Sequence, residues 1–170
     1  QEIIFETQPD VIIETGTAFG GSALYYADLL EKIGKRNVVV TIDIEESKYP
    51  LYAVVLNHPR ILFLDYGSLD VATFDHLKAW IGPEHKVMVI LDSDHHKNHV
   101  FSELEAYAPF VSVGSYLIVE DTNTDLVLED YGPGGKDAVY EFLDDHAEFE
   151  DCTEKCSPFG FSFNTWLRRI

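Results

Sequence analysis

Short, nearly uninterrupted apolar runs return along this chain, each separated from the next by a stretch with helical spacing. No other feature constrains the fold as strongly. A strand wetted on one face alternates apolar with polar residues, whereas a strand covered on both faces reads as a continuous apolar run. Runs of the second kind predict strands over 11–14, 37–43, 61–64, 86–92 and 115–120. Helical spacing predicts helices over 22–33, with Gly34 as a stop, and over 69–80, 98–107 (ending before Pro109) and 136–146. Buried strands alternating with helices imply an α/β, three-layer, Rossmann-like fold with a mostly parallel sheet. The stretch 161–167 alternates instead, and is expected to form an antiparallel edge strand near the C-terminus.

A length of 170 residues fits one domain, 1–170, and 46% apolar residues are enough to build its core. A formal net charge of −18 repels a phosphate backbone, so no nucleic-acid partner is expected. The same charge disfavours anionic membrane surfaces, and no apolar run reaches the length of a membrane span. The opening Gln1-Glu2-Ile3-Ile4-Phe5-Glu6 has no basic leader. Cytoplasmic placement, with Cys152 and Cys156 as free thiols, is the expectation, a local disulfide being the alternative. A structural zinc takes four ligands; beside the two cysteines only His146 is near.

In a parallel sheet, ligands gather outside the carboxyl ends of the strands. Chemistry-bearing residues are therefore sought there. After the first strand comes Glu14-Thr15-Gly16-Thr17-Ala18-Phe19-Gly20-Gly21-Ser22. Its glycines allow a tight turn and close backbone approach to a ligand, and the following helix start offers N–H groups to an anion. The spacing is Glu-x-Gly-x-x-x-Gly-x-Ser rather than Gly-x-Gly-x-x-Gly, which makes a dinucleotide the lesser candidate. Glu14, Gly16, Thr17, Gly20 and Ser22 are the cofactor-binding candidates of this turn. Asp43 ends the second strand, where a carboxylate can accept from two ribose hydroxyls; Glu45 is its rival. Asp65-Tyr66-Gly67-Ser68 follows the third strand, where Gly67 and Ser68 would border a bound base or simply cap the next helix.

After the fourth strand comes Asp92-Ser93-Asp94-His95-His96-Lys97-Asn98-His99, and after the fifth Glu120-Asp121-Thr122-Asn123. If these strand ends are neighbours, Asp92, Glu120 and Asp121 meet. Carboxylates so close repel or take up protons unless a cation lies between them. An all-oxygen set suits Mg²⁺, Mn²⁺ or Ca²⁺. The plainer alternative is helix capping by Asp92 or Asp94. His95, three residues after Asp92, is placed to take a proton from a hydroxyl near neutral pH. His95 and His99, four apart, would share a helix face; His96 and His99 read as solvated or capping residues.

Together, the Glu14-Thr15-Gly16…Gly20-Gly21-Ser22 turn, Asp92-Ser93-Asp94-His95 and Ile118-Val119-Glu120-Asp121 resemble the cephalosporin hydroxylase family, which includes rhamnosyl O-methyltransferases. The likeness runs from Gln1 to the closing Phe159-Gly160-Phe161-Ser162-Phe163-Asn164. It implies a class I methyltransferase fold that binds S-adenosylmethionine. Glu14, Gly16, Gly20 and Ser22 would line the methionine end, Asp43 would hold the ribose, Asp92, Glu120 and Asp121 would bind Mg²⁺, and His95 would act as general base. The expected reaction is methyl transfer to a hydroxyl of a small molecule such as a sugar or natural product. Alternatives are a non-catalytic cofactor-binding partner of an oxygenase and a nucleotide-dependent oxidoreductase. Iron held by His95, His99 and Asp92 is a further variant. Family members usually carry more chain before the first strand. A missing N-terminal extension, or a neighbouring copy in a homo-oligomer, is therefore expected to close the acceptor site.

Overall fold

The computed structural model describes residues 1–34, 37–44, 50–156 and 164–170. Glu45, Phe159, Gly160 and the 161–163 part of the expected edge strand lie outside the described residues. Two compact units divide the chain, Gln1–Met88 and Val89–Ile170.

The first unit holds α1 (Glu2–Thr7), β1 (Val11–Thr15), α2 (Gly21–Ile33), β2 (Val38–Asp43), α3 (Pro50–Asn57), β3 (Ile61–Asp65) and α4 (Val71–Trp80). Strand β1 pairs in parallel with β2, Val11 opposite Val38, and β2 pairs in parallel with β3, Val39 opposite Ile61. All five residues of β1 are buried, as a continuous apolar run requires. Strand β3 is different: Leu62 is 37% exposed and only Leu64 is buried. The strand order explains this, because β3 lies at the sheet edge. Helix α2 sets Ala23, Ala27 and Leu30 into the core and stops where Gly34 turns left-handed at φ 80°.

Strand β4 (Val87–Leu91) is shared by the two units. The second continues with α5 (Lys97–Tyr107), a 3₁₀ turn over Ala108–Phe110, β5 (Tyr116–Val119), α6 (Thr124–Val127), α7 (Gly135–Asp145), β6 (Phe149–Asp151), α8 (Thr153–Cys156) and β7 (Thr165–Arg169). Strands β4 and β5 pair in parallel, Leu91 opposite Val119. Strand β7 then runs antiparallel to β5, and β6 antiparallel to β7. The expected antiparallel strand is thus β7, described over Thr165–Arg169, and it is not the edge, because β6 pairs with it on the outer side. Helices α5 and α7 bury Val100, Leu104 and Tyr107 with Ala138, Val139 and Phe142. Among the described residues the strand order is β3-β2-β1-β4-β5-β7-β6, a mixed α/β sheet that is parallel except at its C-terminal strands.

No described helix is long and apolar enough to cross a membrane. Among the described residues Cys152 forms no disulfide, and its Sγ donates to Glu150 Oε1 at 3.6 Å; the side chain of Cys156 lies outside the described residues. His146 is engaged by two acids, with Nε2 2.7 Å from Glu105 and Nδ1 3.4 Å from Glu148.

Candidate active site

In the first unit, the turn after β1 is held by a chain of buried polar groups. The Thr41 hydroxyl donates to Glu14 Oε2 at 2.6 Å. Its only proton is then used, so at the 2.7 Å contact between the two threonines Thr17 is the donor. Glu14, Thr17 and Thr41 are all buried, so this relay joins β1, the turn and β2 where water does not compete. Gly16 and Gly20 adopt φ of 83° and 78°. Ala18 is also left-handed at φ 44°, and its N–H donates to Asp43 Oδ2 at 2.9 Å. Asp43 therefore fastens the turn to the end of β2 with one oxygen.

Helix α2 begins at this turn, and among the described residues no side chain caps its start. Uncapped N–H groups at a helix start suit a carboxylate or phosphate. A Cβ at Gly20 would run into Val55 Cγ2, so backbone and α3 approach there as only glycine permits. Ser22 is half-buried in the first turn of α2. After β3, Asp70 Oδ2 accepts from the Gly67 N–H at 2.8 Å, and the Gly67 carbonyl accepts from Thr73 Oγ1 at 2.7 Å. The Gly67-Ser68 segment is thus organised around the start of α4, with Ser68 buried.

In the second unit, the Glu120 N–H donates to the Leu91 carbonyl at 2.9 Å, joining the ends of β4 and β5. From this junction the two acidic loops depart. Asp92, His95 and Asp121 come together, with ligand atoms within 4.8 Å of one another. His95 Nε2 lies 4.0 Å from Asp121 Oδ2, with His95 23% and Asp121 61% exposed. Asp121 is left-handed at φ 50°, rare for a residue with a side chain. Its N–H donates to Asn164 Oδ1 at 3.0 Å and its carbonyl accepts from Thr124 Oγ1 at 2.7 Å. Half-buried Glu120 is not in the three-residue group found among the described residues.

Burial pushes the Asp92 carboxyl up to about 6; nearby Asp121 and Glu103 add to this, and His95 opposes it. A loop that concentrates negative charge in this way fits a divalent cation, whose binding would lower that pKa again. The two carboxylates are hard oxygen donors, and the imidazole is available either as a third ligand or for proton transfer. His99 faces elsewhere: its Nε2 is 3.2 Å from Ser93 Oγ and 3.5 Å from Glu103 Oε1. Among the described residues, then, no iron-type set of His95, His99 and Asp92 is assembled.

Over residues 1–170 the chain matches the family described as Rhamnosyl O-methyltransferase/CmcI. The chain belongs to this family. It is 36% identical over 167 residues to a rhamnosyl O-methyltransferase of Mycobacterium bovis (strain BCG / Pasteur 1173P2), covering 95% of this chain and 67% of that protein. The Mycobacterium leprae (strain TN) counterpart is 33% identical over 170 residues, covering 97% and 72%. Among solved structures, CmcI with Mg and SAM superposes with a TM-score of 0.72 at 21% identity, over 99% of this chain and 68% of that one. MycE methyltransferase from the mycinamycin biosynthetic pathway, with Mg and SAH, gives 0.69 at 15% identity over 98% and 47%. These likenesses establish the fold, and the family places the chain among S-adenosylmethionine-dependent O-methyltransferases.

In this family member, several residues that shape the site escaped the sequence reading. Thr41 and Val55 sit inside a predicted strand and an apolar run, and nothing local marks them. Asn164 is 43 residues from the Asp121 it holds. Glu103 did leave a signal: Val100, Glu103, Leu104 and Tyr107 share one helical stripe, and an acid on an apolar stripe is unusual.

Proposed function

We propose that this family member transfers the methyl group of S-adenosylmethionine to a hydroxyl of a sugar-bearing small molecule, assisted by a divalent cation. The observation that carries the reading is the convergence of Asp92, His95 and Asp121 at the ends of β4 and β5. Rhamnosyl O-methyltransferases are among its relatives, and CmcI and MycE have been solved with Mg and SAM or SAH. The rhamnose-type acceptor and the cation are carried to this chain on that support.

Asp92 and Asp121, with Glu120 beside them, would hold the cation. When bound, a divalent ion supplies Lewis acidity that lowers the pKa of an acceptor hydroxyl. A hard cation prefers oxygen, which leaves the His95 imidazole to accept the hydroxyl proton at Nε2. Glu14, Gly16, Thr17, Gly20 and Ser22 would hold the amino-acid end of the donor, its carboxylate at the uncapped start of α2. Asp43 would accept from ribose hydroxyls, and Gly67 and Ser68 would border the adenine. Holding donor and acceptor in line would supply much of the rate.

The test is methyl transfer from radiolabelled S-adenosylmethionine to a panel of rhamnosides, with Mg²⁺ or with EDTA. Label should appear on the sugar and vanish with the chelator. Calorimetry that detected no S-adenosylmethionine binding would end the reading.

A further inference from the structure

We propose that Glu103 is a positioning residue: its buried carboxylate grips Ser93 and so fixes the loop that presents Asp92 and His95. The inference rests on reading Asp92, His95 and Asp121 as a cation site.

Glu103 is 1% exposed, on the α5 stripe otherwise made of Val100, Leu104 and Tyr107. Burying a carboxylate is expensive unless its oxygens are hydrogen-bonded. Here Oε1 accepts from Ser93 Oγ at 2.8 Å and faces His99 Nε2 at 3.5 Å. The other oxygen, Oε2, has no hydrogen-bond partner among the described residues. Half-satisfied in this way, the carboxylate is a poor choice for stability, since an apolar side chain of similar volume would fill the same space without the desolvation cost. Besides facing His99, what the carboxylate achieves is a bond to the residue next to Asp92.

That bond completes a set of restraints on the loop. On one side of Asp92, Leu91 is pinned in β4 and its carbonyl accepts from Glu120. On the other, Ser93 is held by Glu103 and touches His99 Nε2 at 3.2 Å. Beyond His95, Asp94 Oδ1 accepts from the His96 N–H at 2.9 Å, and the Lys97 N–H donates to the Pro133 carbonyl at 3.0 Å. Asp92 and His95 each sit between residues fixed from outside the loop. Without the Glu103 bond only the longer His99 contact holds Ser93, and the preorganisation of both side chains weakens.

The experiment titrates Mn²⁺ into the full chain by water-proton relaxation, beside thermal melts, for Ser93→Ala, Glu103→Gln, Glu103→Leu and the Ser93→Ala/Glu103→Leu double variant. Residues that orient metal ligands affect affinity by roughly 10–100-fold, so Glu103→Leu and Ser93→Ala should each weaken Mn²⁺ binding by about that factor. The double variant should bind no more weakly than Glu103→Leu, because both changes break one link. Glu103→Gln, whose amide oxygen can accept the same bond, should stay within about threefold of the parent chain. Glu103→Leu also leaves Ser93 and His99 without this partner and should melt lower, so Mn²⁺ affinity is read well below every melting temperature, where its loss reports positioning and not unfolding. Parental Mn²⁺ affinity in Ser93→Ala or Glu103→Leu, additive losses in the double variant, or Gln failing as badly as Leu would overturn the proposal. If Glu103→Leu does not fold, Ser93→Ala and Glu103→Gln decide alone. An Asp121→Ala control separates the two readings: unchanged Mn²⁺ binding there, or none in the parent, removes the cation site itself.

Discussion

Asp92 holds its proton far above the ordinary carboxylate range, and that follows from where it stands. Its pKa rises from 3.8 to about 6 through burial, with Asp121 and Glu103 adding to the effect. A carboxyl that binds its proton more tightly folded than unfolded contributes stability at low pH and loses it as pH rises between those two values. In EDTA, the melting temperature of Asp92→Asn relative to the parent should therefore climb from pH 4 to about pH 6 and then level off. A flat difference across that window would show that Asp92 does not carry the shift. Cation binding has the opposite sense: it needs the carboxylate, so Mn²⁺ affinity should fall as pH drops through about 6. His95 has a separable role. His95→Ala should lower kcat by about 10²–10⁴-fold at saturating donor, the range for losing a general base, while Mn²⁺ affinity changes far less. A parallel loss of Mn²⁺ binding would make His95 a ligand instead.

At the scale of elements, the turn between β1 and α2 shows how a backbone requirement and a packing requirement fall on one residue. Gly20 is left-handed at φ 78°, and a Cβ there would run into Val55 Cγ2. Gly20→Ala meets both penalties, about 1 kcal/mol for the conformation and about 1–3 kcal/mol for overpacking against α3. Urea unfolding should show a loss of about 2–4 kcal/mol, and a neutral result would mean that α3 yields easily. Gly34, equally left-handed at φ 80° but with nothing among the described residues within 4 Å of a Cβ, should lose only the conformational part in Gly34→Ala. The sequence marks Gly34 as a helix stop and Gly20 as part of a turn; only the packing of α3 shows that Gly20 also has no room for a Cβ. Helix α3 and strand β6 were not anticipated. The apolar run 51–56 carries no periodicity that distinguishes a helix from a strand, and a three-residue strand is too short to show alternation.

For the whole molecule, a net charge of −18 means that folded chains repel themselves internally as well as one another. Raising ionic strength from about 0.01 M to about 0.15 M shortens the screening length from roughly 30 Å to roughly 8 Å, and the melting temperature should rise with it. Mg²⁺ at equal ionic strength should add a further, saturable increase that Asp121→Ala lacks. The buried strands, their parallel pairing and the polar residues at their carboxyl ends were legible in the chain, because burial on both faces writes itself as continuous apolar runs. So were the glycine turn and the three-residue step from Asp92 to His95, which are local in sequence. Other features came only from the tertiary structure: the exposed edge at Leu62, the covering of β7 by β6, the hold of Asn164 on Asp121 and the grip of Glu103 on Ser93. Each depends on which elements become neighbours in space. Local spacing says what a residue can do, whereas strand order and helix packing decide what it meets.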